Sequence, residues 1–387
     1  AMALRDCGGQ VIAANREDYA ESEASGMSEA MLDRLLLNEA RIEGMAADVL
    51  TVAALPDPVG QVFDNRTLTN GLQLSKRRVP LGVIAAIYES RPNVTIDISS
   101  LCLKSGNACI LRGGKESRRS NLALARLVQQ ACRSEGVPDG AVEFIESTDR
   151  SLVHHLLTMR QYIDLVIPRG GADLIRLVAE NATMAVVTGG IGVCHAFVDS
   201  SADIGMALRI VHNAKVQRPT VCNALDCILI HRDVAPAFLP ALGKLWQAAG
   251  VEMRCDADAL AILGETIHAS LVPATPDDWG KEFLSLVAAV KVVADLDEAL
   301  EHIRVYGSGH SEAIITQDYV SSRRFQSEVD AACVYVNAST RFTDGSQFGM
   351  GAEIGISTQK FHARGPMALE EITSYKWVAL GDGQIRD

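Results

Sequence analysis

The feature that most constrains the fold is a regular alternation of short apolar runs with amphipathic stretches, which begins near residue 80. In the first half of the chain the apolar runs predict five buried strands, at Leu81–Tyr88, Asn107–Arg112, Ala141–Ile145, Tyr162–Ile167 and Met184–Thr188. Between two of them, Asn121–Ser134 places apolar residues at helical spacing and is followed by glycine and proline. Alternation at this pitch favours right-handed βαβ units and therefore a mostly parallel sheet covered on both faces.

The alternation resumes after Gly189-Gly190, so we expect a second α/β domain with a boundary near 188–192. Its predicted strands are Val193–Val198, Leu225–His231, Val290–Val293, Glu312–Thr316 and Ala332–Val336, with one helix at Val234–Ala249. The first helix of this domain should begin at an N-cap of Ser200 or Ser201. The first 50 residues are also helical in pattern.

Two segments do not follow this alternation. Residues 60–78 alternate polar and apolar side chains around Asn70-Gly71, a pair that is typical of a hairpin turn. The tail at 369–387 resembles a terminal strand. We interpret both as an arm whose strand edges pair across the subunits of a homo-oligomer. An ordinary surface hairpin fits the sequence equally well.

Charge and composition limit the partners and the compartment. The chain has 36 basic and 48 acidic residues, a net charge of −12, which disfavours binding to nucleic acid or to an anionic membrane. The sequence contains no apolar run near the roughly 20 residues that span a bilayer. Most of the nine cysteines have apolar neighbours and none forms a CxxC pair, which indicates buried thiols in a reducing cytoplasm. The nine histidines form no HExxH motif, so we predict no metal site.

Two strand-to-helix turns, Leu111–Ser117 and Ile167–Asp173, are suited to a phosphate group. Each contains paired glycines, which let the backbone approach a ligand where free N–H groups and the helix dipole favour an anion. A tight connection is the better interpretation of either turn alone, whereas for two turns in one sheet a nucleotide site fits equally well. The GxGxxG fingerprint is absent, since Gly190–Gly192 lacks the third glycine.

Cys222 differs from the other cysteines because it lies in a polar loop, near Lys215 and Arg218. Cations and loop N–H groups favour the thiolate, which is the nucleophilic form. The residues alone leave a buried structural cysteine as the commoner interpretation. Asn93, which follows the first sheet strand, can donate its amide to an oxyanion or can simply cap the next helix.

Seven stretches resemble the gamma-glutamyl phosphate reductases, a family of the aldehyde dehydrogenase superfamily. The matching runs are YESRPNVTID at 88–97, SGNACILRGGKES at 105–117, IPRGG at 167–171, VTGGIGVCH at 187–195, NAKVQRPTVCN at 213–223, YVNASTRFTDGSQFGMGAE at 335–353 and HARGPM at 362–367. The resemblance runs from about residue 27 to the C-terminus, which implies that the first helical segment of the family is mostly missing.

This resemblance implies an α/β, aldehyde dehydrogenase-like fold with two Rossmann-like parallel-sheet domains and a β oligomerisation arm. The expected domains are an NADPH-binding domain at 1–188, interrupted by the hairpin at 60–78, a catalytic domain at 189–365, and a C-terminal arm strand at 366–387.

The resemblance also implies roles for individual residues. Cys222 would be the nucleophile, and Asn93 with the Cys222 backbone N–H would stabilise the oxyanion. The assigned NADPH-binding residues are Arg112, Lys115, Gly170, Gly171, Gly190 and Glu282, and the assigned substrate-binding residues are Arg218 and Arg341. Thr188 stands where hydrolytic members carry a glutamate that activates water, and its lack of a carboxylate fits a reductive reaction.

The implied reaction is NADPH-dependent reduction of L-glutamyl 5-phosphate to L-glutamate 5-semialdehyde and phosphate through a cysteine thioester, a step of proline biosynthesis. Functional coupling to glutamate 5-kinase is the implied partnership. Three alternatives stay open on the sequence: a hydrolytic NAD(P)-dependent aldehyde dehydrogenase, a thiol hydrolase that uses no nucleotide, and a non-catalytic scaffold.

Overall fold

The structure, a computed structural model, describes residues 1–187, 189, 191–264 and 270–386. Backbone contacts divide the chain into a first unit, Ala1–Gly189 with Gly345–Gly355 and Phe361–Asp387, and a second unit, Gly190–Asp344 with Ile356–Lys360. The expected catalytic span of 189–365 therefore differs from the observed division, because most of its C-terminal part packs with the first unit. Ile354, for example, is buried in the hydrophobic core of the first unit.

The first unit alternates helices and strands from residue 83 onwards, after an N-terminal helical segment and a hairpin. Its elements are α1 (Met2–Ala24), α2 (Glu29–Leu35), α3 (Glu39–Ala54), β1 (Val62–Thr67), β2 (Gln73–Pro80), β3 (Val83–Tyr88), α4 (Val94–Lys104), β4 (Ala108–Gly113), α5 (Arg118–Ser134), β5 (Val142–Phe144), α6 (Ser151–Thr158), β6 (Leu165–Arg169), α7 (Ala172–Asn181) and β7 (Ala185–Val186). All five predicted strands of this half are present, and each differs from its prediction by a few residues at its ends.

The second unit repeats the alternation. Its elements are β8 (Cys194–Val198), α8 (Ile204–Val216), β9 (Leu225–His231), α9 (Ala235–Ala248), β10 (Glu252–Cys255), α10 (Ala257–Leu263), β11 (Leu271–Pro273), β12 (Val287–Val293), α11 (Leu296–Tyr306), β13 (Ser311–Ile315), α12 (Tyr319–Glu328) and β14 (Cys333–Val336). Three further strands follow along the chain, β15 (Gly355–Ser357), β16 (Gly365–Met367) and β17 (Thr373–Leu380).

Each unit contains a parallel sheet. The first has the strand order β5-β4-β3-β6-β7, and the second has the order β11-β10-β12-β9-β8-β13-β14. In the first sheet the chain leaves β3 for β4 on one side and later crosses to β6 on the other. The strand order therefore reverses between β3 and β6, and the carboxyl ends of strands at such a reversal are where open α/β sheets bind ligands.

The predicted hairpin and the predicted terminal strand are both present and form one antiparallel sheet with the order β1-β2-β17. Gly71 closes the hairpin turn with a φ of +85°, a conformation that favours glycine. The tail pairs with the hairpin of the same chain over eight residues, from Thr373 opposite Pro80 to Leu380 opposite Gln73. Its pairing therefore needs no second subunit, and β1 and β17 are the edges of the arm sheet.

Aspartate and asparagine side chains begin several helices. Helix α8 begins after Asp203, whose carboxylate accepts a hydrogen bond of 2.6 Å from the Met206 backbone N–H. The predicted cap at Ser200 or Ser201 is wrong, because Ser201 is engaged elsewhere and bonds the Asp199 carboxylate. The described part of the chain contains no helix that is long and apolar enough to cross a membrane.

Candidate active site

Cys222 lies in the loop between α8 and β9, as the sequence predicted. Its side chain is half-buried, whereas Cys102, Cys109, Cys194 and three other cysteines are buried. All nine cysteines are free thiols. Cys222 therefore combines a loop position with partial access to solvent, which a nucleophile needs and a core cysteine lacks.

The backbone of Cys222 is held from the side of strand β8. A methyl group added at Gly192 would overlap the Cys222 carbonyl oxygen and lie 2.8 Å from its Cβ atom, so only glycine fits there. The Cys194 thiol donates a 3.2 Å hydrogen bond to the same carbonyl oxygen. Gly192 and Cys194 thus fix the position of the Cys222 backbone at the amino ends of β8 and β9.

The next residue, Asn223, ties the loop to the segment 340–343. Its amide donates hydrogen bonds of 2.8 Å to the Thr343 carbonyl and 3.4 Å to the Arg341 carbonyl. The Thr340 hydroxyl donates a 2.8 Å bond back to the Asn223 carbonyl. This exchange brings Arg341 next to the cysteine loop although the two are far apart in sequence.

Two arginines supply positive charge around Cys222. Burial lowers the pKa of Arg341, as does the nearby Arg218, while Asp344 and Cys222 favour its charged form. Arg341 also donates from Nε to the Gln217 side-chain oxygen at 2.8 Å. Both predicted substrate-binding arginines therefore lie within electrostatic reach of each other and of the Cys222 loop.

The expectation that Lys215 stabilises the Cys222 thiolate is not supported. The Lys215 side chain is fully buried, and its ammonium donates a 2.8 Å bond to the Leu225 carbonyl. Its ionic partner is Asp226, at 3.8 Å. Burial lowers the pKa of Lys215 and raises that of Asp226 to about 7. Because Lys215 faces the core rather than the loop, its role is to hold α8 against β9.

Glu282, a predicted cofactor residue, lies beside the same loop. Its carboxylate accepts a 3.1 Å hydrogen bond from the Gly192 backbone N–H. The next residue, Phe283, donates its backbone N–H to Asp226 at 3.1 Å. Glu282, Gly192 and Cys222 are therefore one connected cluster in the second unit.

The remaining cofactor candidates lie at the carboxyl edge of the first sheet. Tyr88 in β3 is in register with Gly113 in β4 and with Arg169 in β6, so the residues that follow these three strands share one edge. Arg112 is buried and donates from Nη2 to the Thr148 carbonyl at 3.1 Å, and its Nε atom has no hydrogen-bond partner among the described residues. Lys115, by contrast, is exposed.

Two carboxylates sit at the glycine turns where the sequence predicted a phosphate. Glu89 accepts a 3.0 Å hydrogen bond from the Gly171 backbone N–H, and a methyl group at Gly170 would overlap the Glu89 carboxylate. Glu116 accepts a 2.6 Å bond from the backbone N–H of Ser90, whose φ is +46°. The turn at Gly170-Gly171 thus binds a carboxylate of the protein itself, whereas Glu116, in the other turn, bonds to Ser90.

Asn93 stands at the N-cap position of α4 but does not cap it, because its side chain makes no capping hydrogen bond. Its amide instead donates a 2.8 Å bond to the Asp97 carboxylate one turn later. Burial raises the pKa of Asp97 to about 7, and Asp48 and Glu353 act in the same direction. The Asn93 amide and Arg169 oppose this shift.

Two residues of the sequence interpretation, Gly190 and Thr188, lie outside the described residues. Sequence reasoning also missed residues that the structure places at the two sites, namely Glu89, Glu116, Asp97, Gly192, Cys194 and Asp226. Of these residues, only Gly192 belongs to a recognisable pattern, because it follows Gly190 closely and precedes a predicted strand. The others carry no motif, because their roles come from contacts between distant parts of the chain.

Comparisons with known proteins identify the family of the chain. The model of the aldehyde dehydrogenase family matches residues 9–270. A gamma-glutamyl phosphate reductase from Dehalococcoides mccartyi is 63% identical over 386 residues, which cover 100% of this chain and 91% of the relative. One from a strain of Escherichia coli is 54% identical over 376 residues, 97% of this chain and 90% of that protein. The first of these alignments also spans the first 26 residues, where no resemblance was expected.

Solved structures support the same architecture. The crystal structure of gamma-glutamyl phosphate reductase from Thermotoga maritima has a TM-score of 0.95 and 48% identity, covering 100% of this chain and 92% of that one. An acetylating aldehyde dehydrogenase from Geobacillus thermoglucosidasius has a TM-score of 0.70 at 17% identity, covering 100% and 90%, which confirms the predicted fold class alone. The identity along the full chain and the matched family model together show that the chain belongs to the gamma-glutamyl phosphate reductases of the aldehyde dehydrogenase family.

Proposed function

We propose that the chain reduces L-glutamyl 5-phosphate to L-glutamate 5-semialdehyde and phosphate, with NADPH as reductant, as a step of proline biosynthesis. The observation that carries this proposal is the Cys222 loop, in which a half-buried cysteine has its backbone carbonyl held by Gly192 and Cys194 and interacts electrostatically with Arg341. The names of the relatives, gamma-glutamyl phosphate reductase, supply the substrate and the direction of the reaction.

Cys222 is the proposed nucleophile. Its thiolate attacks the acyl carbon, a C–S bond forms, and the bond from that carbon to the phosphate oxygen breaks. Phosphate leaves without an acid catalyst because it is a stable anion. The product of this step is a thioester on Cys222. After reduction, the C–S bond breaks, the aldehyde departs and the thiolate is restored.

Asn93 is the proposed donor to the oxyanion. A primary amide has two N–H donors, and one of them is directed to Asp97 at 2.8 Å. That bond fixes which end of the amide carries the N–H groups, so the second N–H has a defined orientation. The backbone N–H of Cys222 is the other proposed donor.

The residues at the carboxyl edge of the first sheet fit a nicotinamide dinucleotide, which supplies the hydride for the reduction. Gly170 and Gly171 let the backbone of the α7 N-terminus approach a phosphate. The unpartnered Arg112 Nε and the exposed Lys115 ammonium supply positive charge for a 2′-phosphate, and this favours NADPH over NADH. Glu89 at the Gly171 N–H would have to yield its place to a bound phosphate.

Arg218 and Arg341 are proposed to bind the anionic groups of the substrate. Guanidinium groups form bidentate contacts with carboxylates and phosphates. A half-buried arginine such as Arg341, whose pKa is lowered by burial, gains more from an anionic partner than an exposed one does. A local cationic site of this kind explains how a chain of net charge −12 can bind a polyanion.

We further propose that the chain forms a homo-oligomer through the arm sheet, is functionally coupled to glutamate 5-kinase and works in the cytoplasm. The edges of the arm at β1 and β17 support the first of these, and nine free thiols fit a reducing compartment. Thr188, in place of the glutamate of hydrolytic relatives, supports the reductive direction.

The experiment that tests the function is the reverse reaction, with the semialdehyde, phosphate and NADP⁺ as substrates. The wild-type chain should form NADPH over many turnovers only when phosphate is present. The rate of Cys222→Ser should be at least about a thousandfold lower than that of the wild type. Cys255→Ser, which alters a buried thiol, should keep the wild-type rate. Continued NADPH formation without phosphate would indicate the hydrolytic alternative, and full activity of Cys222→Ser would overturn the proposal.

The cofactor preference has a separate test. Lys115→Ala should lower the preference for NADP⁺ over NAD⁺ by about tenfold, since one charge-assisted contact to a phosphate is worth roughly 1.5 kcal/mol. Lys244→Ala removes an exposed lysine of the second unit and is the matched control. An unchanged preference in Lys115→Ala would remove this residue from the phosphate site.

A further inference from the structure

We propose that His195, Cys227 and His302 form a buried binding site for a thiophilic divalent transition-metal ion such as Zn²⁺. The site lies in the second unit and uses none of the residues assigned to the reaction. It was invisible in the sequence because its three residues come from β8, β9 and α11.

The topology places these side chains together. His195 in β8 is in register with Cys227 in β9 on one side and with Glu312 in β13 on the other. Residues in register on neighbouring parallel strands share a face of the sheet. His302 reaches the same place from α11. The result is a row of cysteine, histidine and glutamate across three strands, with a second histidine beside it.

The distances suit a shared ion. One donor atom from each of the three residues lies within 4.8 Å of the other two, and Cys227 Sγ is 3.7 Å from His302 Nε2. Zinc–sulfur and zinc–nitrogen bonds of about 2.3 and 2.0 Å at a tetrahedral angle place the two donors about 3.5 Å apart. The observed separation therefore matches one tetrahedral edge, and His195 needs only a small approach.

His195 is oriented like the ligating histidines of known metal sites. His195 Nδ1 lies 3.0 Å from the Glu312 carboxylate, which can only accept, so this nitrogen carries a hydrogen. The other nitrogen, Nε2, is buried and lies against the Cys227 thiol, without a hydrogen bond of standard geometry to the described residues. A carboxylate that fixes the tautomer of a ligating histidine is a usual feature of zinc sites.

Charge and burial fit the same ion. His195, Cys227 and His302 are 0%, 1% and 5% exposed, so a net charge at this place would be costly. A divalent ion, one thiolate and the Glu312 carboxylate sum to zero. Three protein donors leave a fourth position for a small ligand such as water. A site closed to solvent implies that the ion enters during folding and stabilises the second unit rather than taking part in the reaction.

The test uses the full chain with Cys222→Ser as background, so that the accessible thiol cannot bind metal. The protein is produced in medium supplemented with Zn²⁺ or with Co²⁺ and is dialysed against a chelator. We expect about one ion per chain, and the cobalt form should show the visible bands of tetrahedral coordination and a thiolate-to-cobalt charge-transfer band in the near ultraviolet.

Three variants decide the assignment. Cys227→Ser should lose the charge-transfer band, Glu312→Gln should weaken metal retention by about 10- to 100-fold, and Cys255→Ser, a buried thiol of the same sheet, should change neither. If Cys227→Ser does not fold, the spectrum of the Cys222→Ser background protein and its thermal midpoint with and without zinc still show whether the chain binds the metal ion. A chain without retained metal, or a band that persists in Cys227→Ser, would reduce the cluster to a hydrogen-bonded core element.

Discussion

Cys222 is set apart by its surroundings, since eight other residues carry the same thiol. Its loop is half-buried, its carbonyl accepts from Cys194, and its backbone lies against Gly192. These contacts act on the backbone of Cys222. At the scale of single residues, we therefore expect substitutions that change the shape of the loop to lower activity as much as substitutions of the charged groups.

Gly192→Ala tests this point directly. The added methyl group would overlap the Cys222 carbonyl oxygen, a backbone atom that cannot move without moving the loop. We expect at least a hundredfold loss of kcat with a far-ultraviolet spectrum like that of the wild type. Gly205→Ala is the control, because a methyl group there meets its neighbours at 3.5 Å or more and alanine favours a helix. Equal activity of the two variants would refute the role of Gly192.

Asp97 predicts a pH dependence of stability. Burial raises its folded-state pKa to about 7, above the ordinary value near 3.8, so the folded chain holds an extra proton between those pH values. The free energy of unfolding should therefore fall as the pH rises from about 4 to 7, by up to about 1.4 kcal/mol per pH unit from this group.

The comparison with Asp97→Asn isolates that effect, because both proteins share every other titrating group. Urea unfolding at several pH values gives the free energy of unfolding of both proteins. The advantage of Asp97→Asn over the wild type should be larger at pH 7 than at pH 4. Parallel pH profiles would mean that Asp97 titrates normally. Asp97→Ala should also lower kcat more than Asp97→Asn, because only the asparagine still accepts from Asn93.

Among the secondary-structure elements, α8 and β9 define the base of the cysteine loop. Lys215 at the end of α8 bonds the first carbonyl of β9 and pairs with Asp226, and Asp226 in turn accepts from Phe283. One buried ion pair thus holds together the helix, the strand and the segment that carries Glu282. The loop between the two elements can then vary little in position.

Lys215→Met should destabilise the chain by about 3 kcal/mol, because it leaves the Asp226 carboxylate buried and unpaired. Combining it with Asp226→Asn should restore much of that loss, since the uncompensated charge is gone. Lys244→Met, at an exposed lysine, should stay within about 0.5 kcal/mol of the wild type. Thermal unfolding measures all four proteins, and a Lys215→Met variant as stable as Lys244→Met would show the pair to be dispensable.

The elements themselves were largely predictable, because apolar runs and helical spacing encode burial locally. Strand β9 has the predicted bounds, and the hairpin around Asn70-Gly71 and the tail strand are present. The strands β10 and β11 were not predicted, since they are short and carry no long apolar run. The N-cap of α8 was misplaced because three candidate capping residues lie close together before Ile204.

The contacts that build the candidate sites were less predictable. Motifs pointed to Cys222, Asn93 and the glycine turns, but the pairing of Lys215 with Asp226 and of Glu89 with Gly171 depends on which strands become neighbours. The sequence shows only which charged residues are near Cys222 along the chain, and this proximity suggested Lys215. Arg341 is over a hundred residues away from Cys222 in sequence, and only the fold brings it close.

At the scale of the whole molecule, the arm sheet exposes apolar side chains that the proposed oligomer would cover. Val62, Tyr375, Trp377 and Leu380 are 53%, 47%, 49% and 62% exposed. The Lys76 ammonium lies 4.9 Å from the centre of the Trp377 ring, a cation–π contact that supports the ring in an exposed position. An edge strand with such residues is suited to association with a second copy.

Trp377→Glu should therefore weaken self-association by at least about tenfold, or roughly 1.4 kcal/mol, because it places a charge in the proposed contact. Phe361→Glu changes a residue that is 90% exposed outside the arm and controls for surface hydrophobicity in general. Light scattering over a concentration series measures the mass. A wild-type monomer, or an equal shift in both variants, would contradict an oligomer formed through the arm.

The most direct test of the central claim is a rapid-mixing measurement of NADPH formation from the semialdehyde and NADP⁺ in the absence of phosphate. If Cys222 forms the thioester and nothing in the chain hydrolyses it, NADPH should appear in a single burst equal to the enzyme concentration, and added phosphate should start turnover. Cys222→Ser should show no burst. Continued turnover without phosphate, or a burst in Cys222→Ser, would contradict the account.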